Sequence, residues 1–447
     1  MIMQSKYKRS ACKNKSENFI TYLCDKTFLK LWVYPNVYKK TGKEFCDCLV
    51  LFEDNILIFS VKDYKYKGKT QQIAWQRWKR GTIDESIKQI NGAERWLKKY
   101  PNELYIDEKC TKKIPIKFDI SKAKIYRFVI ALGLNEDIGI LYSNDNEHNN
   151  LDNKIGVFQT SKDKIYHILD SANVELVLKE LDTIQDFLDF YDEKELTISQ
   201  LEKIGYYGES TLLALYMQNM NEVTGEHKIL PPNFKNGEVL IKENLWANIE
   251  NDPQYTKKKI EDEFSYLVDN LLNKSIYYEQ RGELIGNVDV QNGFSPIKEI
   301  AKESRFQRRI LGNTLWDVFL KYWTLEKQKR FVRFSMSENG NKAYVILIST
   351  FTNDKDIENS RIQLRKMLEI ACGSLKNIKP ELIQIIGIAI IPHKELFSIG
   401  EDYILLNCKD WDEEHINFYN ECNESYRFWK QNIKSKVVSF DEYPQIS

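Results

Sequence analysis

The chain has 447 residues, of which 42% are hydrophobic and 29% are charged, and its formal net charge is zero. This composition excludes a disordered chain and predicts a core large enough for two or three domains. No apolar run is long enough to predict a membrane span, and the basic N-terminus lacks the apolar segment of a secretory signal.

The eight cysteines are scattered along the chain, with no CxxC pair and no histidine at zinc-site spacing. This usage predicts a cytoplasmic protein with reduced thiols. Charge is distributed unevenly, because residues 1–100 carry 21 Lys and Arg against 10 Asp and Glu, a net of +11, and the remainder carries −11. A basic first quarter suits a polyanionic partner, although the same bias occurs in many lysine-rich proteins.

Helix and strand patterns alternate in the first half of the chain. The sequence predicts a helix over 16–31 with Ser16 as its N-cap, then a loop over 32–43 that is rich in turn residues. Two strands joined at the polar break "EDN" follow within 42–63. The later predicted elements are a helical region over 71–99 broken near Gly81, strands at 126–134 and 164–170, an exposed asparagine-rich loop over 144–153, and a helix over 173–192.

The second half, from about Glu193, has a further α/β pattern. Helices are predicted over 254–273, 298–322 and 357–372, and strands at "RFVRFSM", "AYVILIST", "LIQIIGIAII" and "YILLN". We therefore predict an α/β protein with a first domain over 1–192 and an accessory α/β domain with a helical insert over 193–447. A basic cluster in this half is explained equally well by nucleic-acid contact or by helix-surface ion pairs with Glu299 and Glu303; its members are Arg305, Arg308 and Arg309.

Asp47 and Lys62 are charges within, or at the end of, apolar strands. If the chain turns at "EDN", an antiparallel hairpin sets Asp47 opposite residue 60, 61 or 62, so the carboxylate and the ammonium can meet on one sheet. Burying a charge is costly unless it is paired or binds a metal. A structural ion pair is one interpretation, but it gives no reason for a third charge, Glu17, on the helix predicted to pack against the hairpin. Carboxylates suit Mg²⁺, and a neighbouring lysine can neutralise charge on a phosphate.

These residues resemble the motif of the PD-(D/E)XK nuclease superfamily, with Glu17 on a helix, Asp47 on a strand and "SVK" at the end of the next strand. The resemblance covers approximately residues 16–170 and implies an αβββαβ core. It implies that Glu17 and Asp47 bind Mg²⁺ or Mn²⁺ and that Lys62 is the catalytic lysine. On the helix that follows, Gln89 matches the glutamine that often faces the site in this superfamily, and its neighbour Lys88 is the basic alternative.

Ser60 departs from the motif, because the superfamily has an acidic or amide residue at this place. A hydroxyl is a weaker Mg²⁺ ligand than a carboxylate. Either the site uses fewer protein ligands, or Glu44 or Asp63 supplies the missing oxygen, although a regular strand would turn Asp63 to the opposite face. The substitution is also compatible with lost catalysis.

The segment "QQIAWQRWKRG" (71–81) interleaves tryptophans with cations, a composition that suits base stacking and phosphate contact. The alternative is that the tryptophans belong to the core and the cations to a solvated face. The predicted nucleic-acid-binding residues are Arg77, Trp78, Lys79, Arg80 and Lys88.

Two functional hypotheses follow. The first is a cytoplasmic, metal-dependent nuclease that hydrolyses phosphodiester bonds, of DNA rather than RNA, and whose second half recognises a substrate or a sensor partner. Double-strand cleavage would call for a homodimer, and the arrangement resembles prokaryotic anti-phage effectors and restriction-type enzymes. The alternative is a catalytically inactive protein of nuclease fold that binds nucleic acid or regulates another component.

Overall fold

The computed structural model describes residues 9–134, 141–143, 159–161, 164–220, 226–231, 237–241, 245–280, 295–323, 330–337, 339–349, 357–393, 397–429 and 433. The predicted asparagine-rich loop over 144–153 lies outside these residues. The chain is mixed α/β, and it divides into a first unit and a second unit. The first unit comprises residues 1–258, 279–282 and 441–447, and the second comprises 259–278 and 283–440.

Helices and strands alternate along the first unit. In chain order they are α1 Lys15–Phe28, β1 Val33–Lys40, β2 Lys43–Phe52, β3 Asn55–Asp63, α2 Gln71–Lys79, a π-helical turn Arg80–Asp84, α3 Glu85–Lys99, β4 Lys124–Leu132, β5 Leu141–Ser143, β6 Gln159–Ser161, β7 Lys164–Ile165, β8 His167–Asp170, α4 Ser171–Glu180, α5 Ile184–Gln200, β9 Lys203–Tyr207, α6 Gly208–Gln218, β10 Glu238–Ile241 and α7 Trp246–Glu250. The next helix, α8 Pro253–Asp262, begins in the first unit and ends in the second, with Asp262 in the second. The main sheet has the strand order β1–β2–β3–β4–β8. Its first three strands are antiparallel, whereas β3, β4 and β8 are mutually parallel.

The predicted hairpin is present as β2 and β3. A two-residue turn joins Phe52 to Asn55, and Glu53 takes a positive φ of 53°, as tight hairpin turns require. Residues 45–52 and 56–61 are all buried, which explains their nearly continuous apolar character: both faces of these central strands are covered.

The predicted loop over 32–43 is wrong, because most of this segment forms β1. Pro35 and Asn36 suggested turns, but β1 is the edge strand of the sheet, where the missing N–H of a proline is tolerated. Pro35 pairs with Cys48, and the register shifts after Val37. Asn36 has a positive φ of 46°, so the turn signal reflects a local irregularity within a strand.

The helical region over 71–99 is interrupted near Gly81, as predicted. The interruption is the π-helical turn, and a side chain at Gly81 would place its Cβ 2.8 Å from the ring of Tyr64. The third helix, α3, then buries Ile90, Ala93 and Leu97 on one face. This face packs against β2, β3 and β4, so α3 covers one side of the hairpin.

Three of the predicted helices are each two helices. The segment 173–192 is divided between α4 and α5 because the Thr183 side chain caps α5 by accepting a hydrogen bond from the N–H of Asp186. The segments 254–273 and 298–322 are also divided. Apolar periodicity continues across such short breaks and does not reveal them.

The second unit contains a four-stranded sheet. Its elements are α9 Ser265–Gln280, α10 Ser295–Ala301, α11 Arg305–Trp323, β11 Arg330–Met336, β12 Lys342–Ser349, α12 Ile357–Ile378, β13 Gln384–His393, β14 Phe397–Asn407 and α13 Glu413–Tyr426. The strand order is β11–β12–β13–β14, with only the central pair parallel. All four predicted strands of this half are confirmed.

The basic cluster on α11 is not a surface feature. Arg305 and Arg308 both bind the carboxylate of Asp269, and Arg309 binds Asp262, with distances of 2.7 Å for each closest pair. All three guanidinium groups are buried, so the predicted surface pairs with Glu299 and Glu303 are replaced by buried pairs to the preceding helices. Burial also argues against nucleic-acid contact by this cluster.

The division between the two units falls later than predicted. Residue 192 lies within α5, and the first unit continues to residue 258. Two residues further along α5, Lys194 forms a buried ion pair with Glu209 of α6, at 2.6 Å. This pair ties the segment after residue 192 to the first unit.

Candidate active site

Asp47 and Lys62 meet on the sheet. The hairpin register pairs Cys48 with Phe59, and its continuation sets Asp47 beside Ser60. The Asp47 carboxylate accepts hydrogen bonds through Oδ2 from the Lys62 ammonium at 3.0 Å and from the N–H of Val61 at 2.6 Å. Asp47 is buried, whereas the Lys62 side chain is 30% exposed. The pair therefore reaches the solvent through its lysine.

Gln89 joins this pair from α3. Its Nε2 donates to Asp47 Oδ1 at 3.0 Å, and its Oε1 accepts from Lys62 Nζ at 2.7 Å. The Ser60 hydroxyl also donates to Gln89 Oε1, at 2.7 Å. Because an ammonium can only donate, the amide oxygen must face Lys62 and the amide nitrogen must face Asp47. These four residues form one connected network, which we call the Asp–Lys–Gln network: Asp47, Ser60, Lys62 and Gln89.

Glu17 has a local role at the start of α1. The N-cap is Asn14 rather than the predicted Ser16, because the Asn14 side chain accepts from the N–H of Glu17 at 2.9 Å. The Glu17 carboxylate in turn accepts from the N–H of Lys13 at 2.9 Å and from the Asn14 amide at 2.6 Å. This reciprocal capping explains the burial of Glu17 and fixes it close to the N-terminus of the helix.

Glu44 lies at the entry to β2, in the same acidic region. Its Oε2 accepts from Lys13 Nζ at 2.9 Å, and its Oε1 is buried with no hydrogen-bond partner among the described residues. Burial chiefly, and also the carboxylates of Asp47 and Glu17, raise the pKa of Glu44, while Lys13 opposes the rise. Both neighbouring carboxylates are therefore close enough to Glu44 to act on it electrostatically.

The donor chemistry of this region fits a hard divalent cation. Within the described part of the chain, no three Asp, Glu, His or Cys side chains approach closely enough to hold a metal ion as they stand. However, Asp47, Glu17 and Glu44 supply carboxylate oxygens, and the buried Oε1 of Glu44 has an unused acceptor position. Both oxygens of Asp47 already accept hydrogen bonds, so a bound cation would have to share or displace one of these donors.

Asp63 does not join the network. It accepts a hydrogen bond from the Ser16 hydroxyl at 2.7 Å, at the start of α1, and so lies on the face opposite the side chain of Lys62. Of the two residues predicted to replace the missing acid at Ser60, Glu44 lies in the acidic region of Asp47, whose carboxylate contributes to the raised pKa of Glu44. The Ser60 hydroxyl donates a hydrogen bond to the amide oxygen of Gln89, and neither Glu44 nor Asp63 takes this place.

The predicted nucleic-acid-binding residues have different environments. Trp78 is fully buried and donates its indole N–H to the carbonyl of Leu132 at 2.9 Å, so the prediction that it binds nucleic acid is wrong. Trp78 lies four residues after Ala74, which is also buried, and residues at this spacing share one face of a helix. This spacing was the sequence signal for a core position. Arg77 and Arg80 are exposed.

Two of the predicted cations have acidic neighbours. Lys79 lies 3.8 Å from Asp84, and the exposed Lys88 lies 3.7 Å from Glu85. Sequence reasoning missed the loop between β3 and α2, whose alternation of Tyr and Lys in "YKYKGK" (64–69) was the available signal. It also missed Lys13, which holds Glu44 in place.

No family model matches the chain, and neither does any curated protein or solved structure. Among the described helices, none combines the length and the apolar character needed to cross a membrane. The function is therefore inferred from the geometry of the site.

Proposed function

We propose that the first unit is a metal-dependent nuclease that hydrolyses phosphodiester bonds, with DNA as the preferred substrate. The observation that carries this proposal is the Asp–Lys–Gln network, in which a buried carboxylate, a partly exposed lysine and a glutamine converge from three elements. The order of elements, with a helix, three antiparallel strands, a helical region and a parallel strand, supports the resemblance to the PD-(D/E)XK core.

The network assigns each residue a chemical task. Lys62 is the one cation of the network and is partly open to solvent, so its ammonium can orient a water molecule or neutralise charge that develops on a phosphate oxygen. Gln89 and Asp47 hold that ammonium in position. A divalent cation held by Asp47, Glu44 and Glu17 would supply Lewis acidity and lower the pKa of a bound water.

The alternative is a nuclease-fold protein without catalysis. Two observations favour it: Ser60 replaces an acidic residue, and both oxygens of Asp47 are already engaged by protein donors. Such a protein would bind nucleic acid with strong salt dependence and without a requirement for divalent metal.

The cleavage experiment separates these proposals. Purified full-length protein is incubated with plasmid, linear duplex, single-stranded DNA or RNA, in Mg²⁺, Mn²⁺ or EDTA. We expect metal-dependent cleavage that falls at least about 100-fold in Lys62→Ala and in Asp47→Asn, because each removes charge from the site. Lys30→Ala is the matched control, since Lys30 is exposed and lies outside the network.

The result also has a clear negative outcome. Unchanged cleavage by Lys62→Ala would contradict the proposed mechanism. Binding of nucleic acid without any cleavage would favour the nuclease-fold protein without catalysis. Circular dichroism spectra must show that both site variants are folded, because Asp47 is buried and its replacement leaves Lys62 with fewer partners.

We also propose that the second unit has the recognition or regulatory role predicted for the second half. Its central parallel strands and the helices beside them form a separate core that includes Leu347, Leu368 and Ile385. Since the Asp–Lys–Gln network lies entirely in the first unit, the second unit is not required to complete that network.

A further inference from the structure

The segment from Tyr64 to Thr70, between β3 and α2, begins two residues after Lys62; we call it the Tyr–Lys loop. It presents three exposed lysines, Lys65, Lys67 and Lys69. Within the described part of the chain none of these ammonium groups forms an ion pair. The nearest acid in sequence, Asp63, is bound by the Ser16 hydroxyl. The loop therefore carries uncompensated positive charge beside the site.

The Tyr–Lys loop is held in an extended conformation. The N–H groups of Tyr64 and Tyr66 donate to the carbonyls of Leu132 and Gly133, at 3.4 and 3.2 Å, and so continue the pairing of β3 with β4. Gly133 has a φ of +87°, and a Cβ at this position would lie 2.3 Å from the Tyr64 carbonyl oxygen. This contact requires glycine, which indicates a defined path for the loop.

The extended conformation places the tyrosine and lysine side chains on opposite sides of the loop. Because alternate residues of an extended chain point to opposite sides, the tyrosines lie on one side and Lys65 and Lys67 on the other. The Tyr64 ring packs against Gly81, and the Tyr66 hydroxyl donates to the carbonyl of Gln71 at 3.3 Å. The tyrosines thus anchor the loop and leave the lysines free to meet a ligand.

The row of loop lysines has further cations before and after it in the chain. Lys62 precedes it, with its side chain on the side of the tyrosines rather than on that of Lys65 and Lys67, because the alternation continues from β3. The exposed Arg77, in α2, and Arg80, in the π-helical turn, follow it three residues apart. The seven residue steps from Lys62 to Lys69 can span at most about 25 Å. That length corresponds to about seven nucleotide steps of one strand of a duplex.

We propose that the Tyr–Lys loop binds the sugar–phosphate backbone of the substrate on one side of the site, without reading its sequence. The inference rests on the proposed nuclease function, since it takes the substrate of that site as the polyanion. Lysines act as point charges on phosphates, so the loop sets affinity and strand path rather than base preference. Tyr64, 45% exposed, offers part of a ring face to a sugar or base at the start of the row.

The test measures binding separately from cleavage. Fluorescence anisotropy in EDTA is recorded with labelled 20-nucleotide single-stranded DNA, duplex DNA and RNA, over a range of salt concentrations. The variant is full-length Lys65→Ala/Lys67→Ala/Lys69→Ala. The matched control replaces three exposed lysines of the same unit that lie outside the loop, Lys30, Lys109 and Lys117, so its net charge is identical.

We expect the loop variant to bind at least about tenfold more weakly, and the slope of log K against log salt to fall by about 2 to 3, because up to three phosphate contacts are lost. The control should keep both values within error. The nucleic acid whose slope changes most identifies the substrate backbone.

Equal losses in the loop variant and the control, or no loss in either, would overturn the proposal, and so would a wild type that binds none of the three nucleic acids. A wild type that binds through the loop but never cleaves would support the loop inference and reject the nuclease proposal, so the two failures are distinguishable.

Discussion

Gln89 is the residue on which the geometry of the site depends. An amide is a neutral side chain that can donate to a carboxylate and accept from an ammonium at the same time. Gln89 does both, because its nitrogen contacts Asp47 and its oxygen contacts Lys62 and Ser60. A carboxylate here would lose the donor to Asp47 and add a second negative charge.

Replacing Gln89 by alanine should therefore affect activity more than stability. We expect Gln89→Ala to lower the cleavage rate by about 10- to 100-fold, because Lys62 loses the acceptor that orients it, and to cost only about 1–2 kcal/mol of unfolding free energy. Single-turnover cleavage and urea denaturation measure the two effects. Gln200→Ala, an exposed glutamine of the same unit, is the control. Wild-type rates in Gln89→Ala would remove Gln89 from the proposed mechanism.

The sequence could predict part of this site. The meeting of Asp47 with Lys62 followed from the hairpin, because a tight turn at "EDN" fixes which residues face one another. The contact between Ser60 and Gln89 could not be derived in the same way, since it joins residues 29 positions apart and depends on how α3 packs on the sheet. Ser16 was misplaced as a cap because two neighbouring polar residues, Asn14 and Ser16, both suit that position.

At the scale of elements, α3 is held on the sheet by Glu94. This buried carboxylate accepts from Arg127 of β4 at 3.0 Å and from Lys164 of β7 at 3.2 Å, and it pairs with Lys98 at 2.8 Å. Burial alone would raise the pKa of Glu94, but the hydrogen bonds and charges of these three cations outweigh it and lower the pKa to about 2. Because Glu94 lies five residues after Gln89, the same contacts position the glutamine.

Glu94→Gln should destabilise the protein in a pH-dependent way. A pKa held at about 2 against an ordinary 4.5 means that the contribution of Glu94 is complete above pH 4.5 and is lost as the pH falls towards 2. We expect a loss of about 2–3 kcal/mol at pH 7, after allowance for screening of the exposed Lys98, and a smaller loss at pH 3. Urea denaturation at both pH values measures this difference.

Glu85→Gln is the matched control on the same helix. Glu85 is exposed, and its contact with Lys88 is 3.7 Å, so its replacement should cost less than about 0.5 kcal/mol at either pH. If the destabilisation by Glu94→Gln were the same at pH 3 and pH 7, the ion pairs of Glu94 would not be its cause.

Elements were predicted well where periodicity is strong and poorly where it competes with turn residues. The β2 strand of the hairpin and β12 of the second unit have apolar runs that no glycine, proline or asparagine interrupts. In β1, Pro35 and Asn36 interrupted the pattern, and the position of that strand at the edge of the sheet could not be known from its own sequence.

At the scale of the whole molecule, the predicted boundary after residue 192 failed for a physical reason. The composition of residues 193–258 does not indicate to which unit this segment belongs. The contacts that assign it to the first unit join residues on different helices. Lys194 and Glu209 are both buried and bind each other through two hydrogen bonds, at 2.6 and 2.7 Å. Their pairing is visible only when α5 and α6 are brought together.

Fragments ending at these two boundaries should therefore behave differently. We expect a fragment of residues 1–258 to melt cooperatively and to retain metal-dependent cleavage, because it contains the whole Asp–Lys–Gln network. A fragment of residues 1–192 ends within α5 and lacks Lys194 and Ile198 of its buried face, and it also lacks α6 with the buried Leu212. It should show no cooperative transition in thermal circular dichroism.

A variant of the intact chain isolates the role of the buried pair. Glu209→Gln leaves Lys194 in the interior without its counter-charge, which should cost about 3–5 kcal/mol, whereas Glu175→Gln, at a half-exposed residue, should cost less than about 0.5 kcal/mol. If residues 1–192 melted as cooperatively as residues 1–258, and Glu209→Gln were as stable as the wild type, the segment 193–258 would not belong to the first unit. A domain boundary close to residue 192 would then be correct.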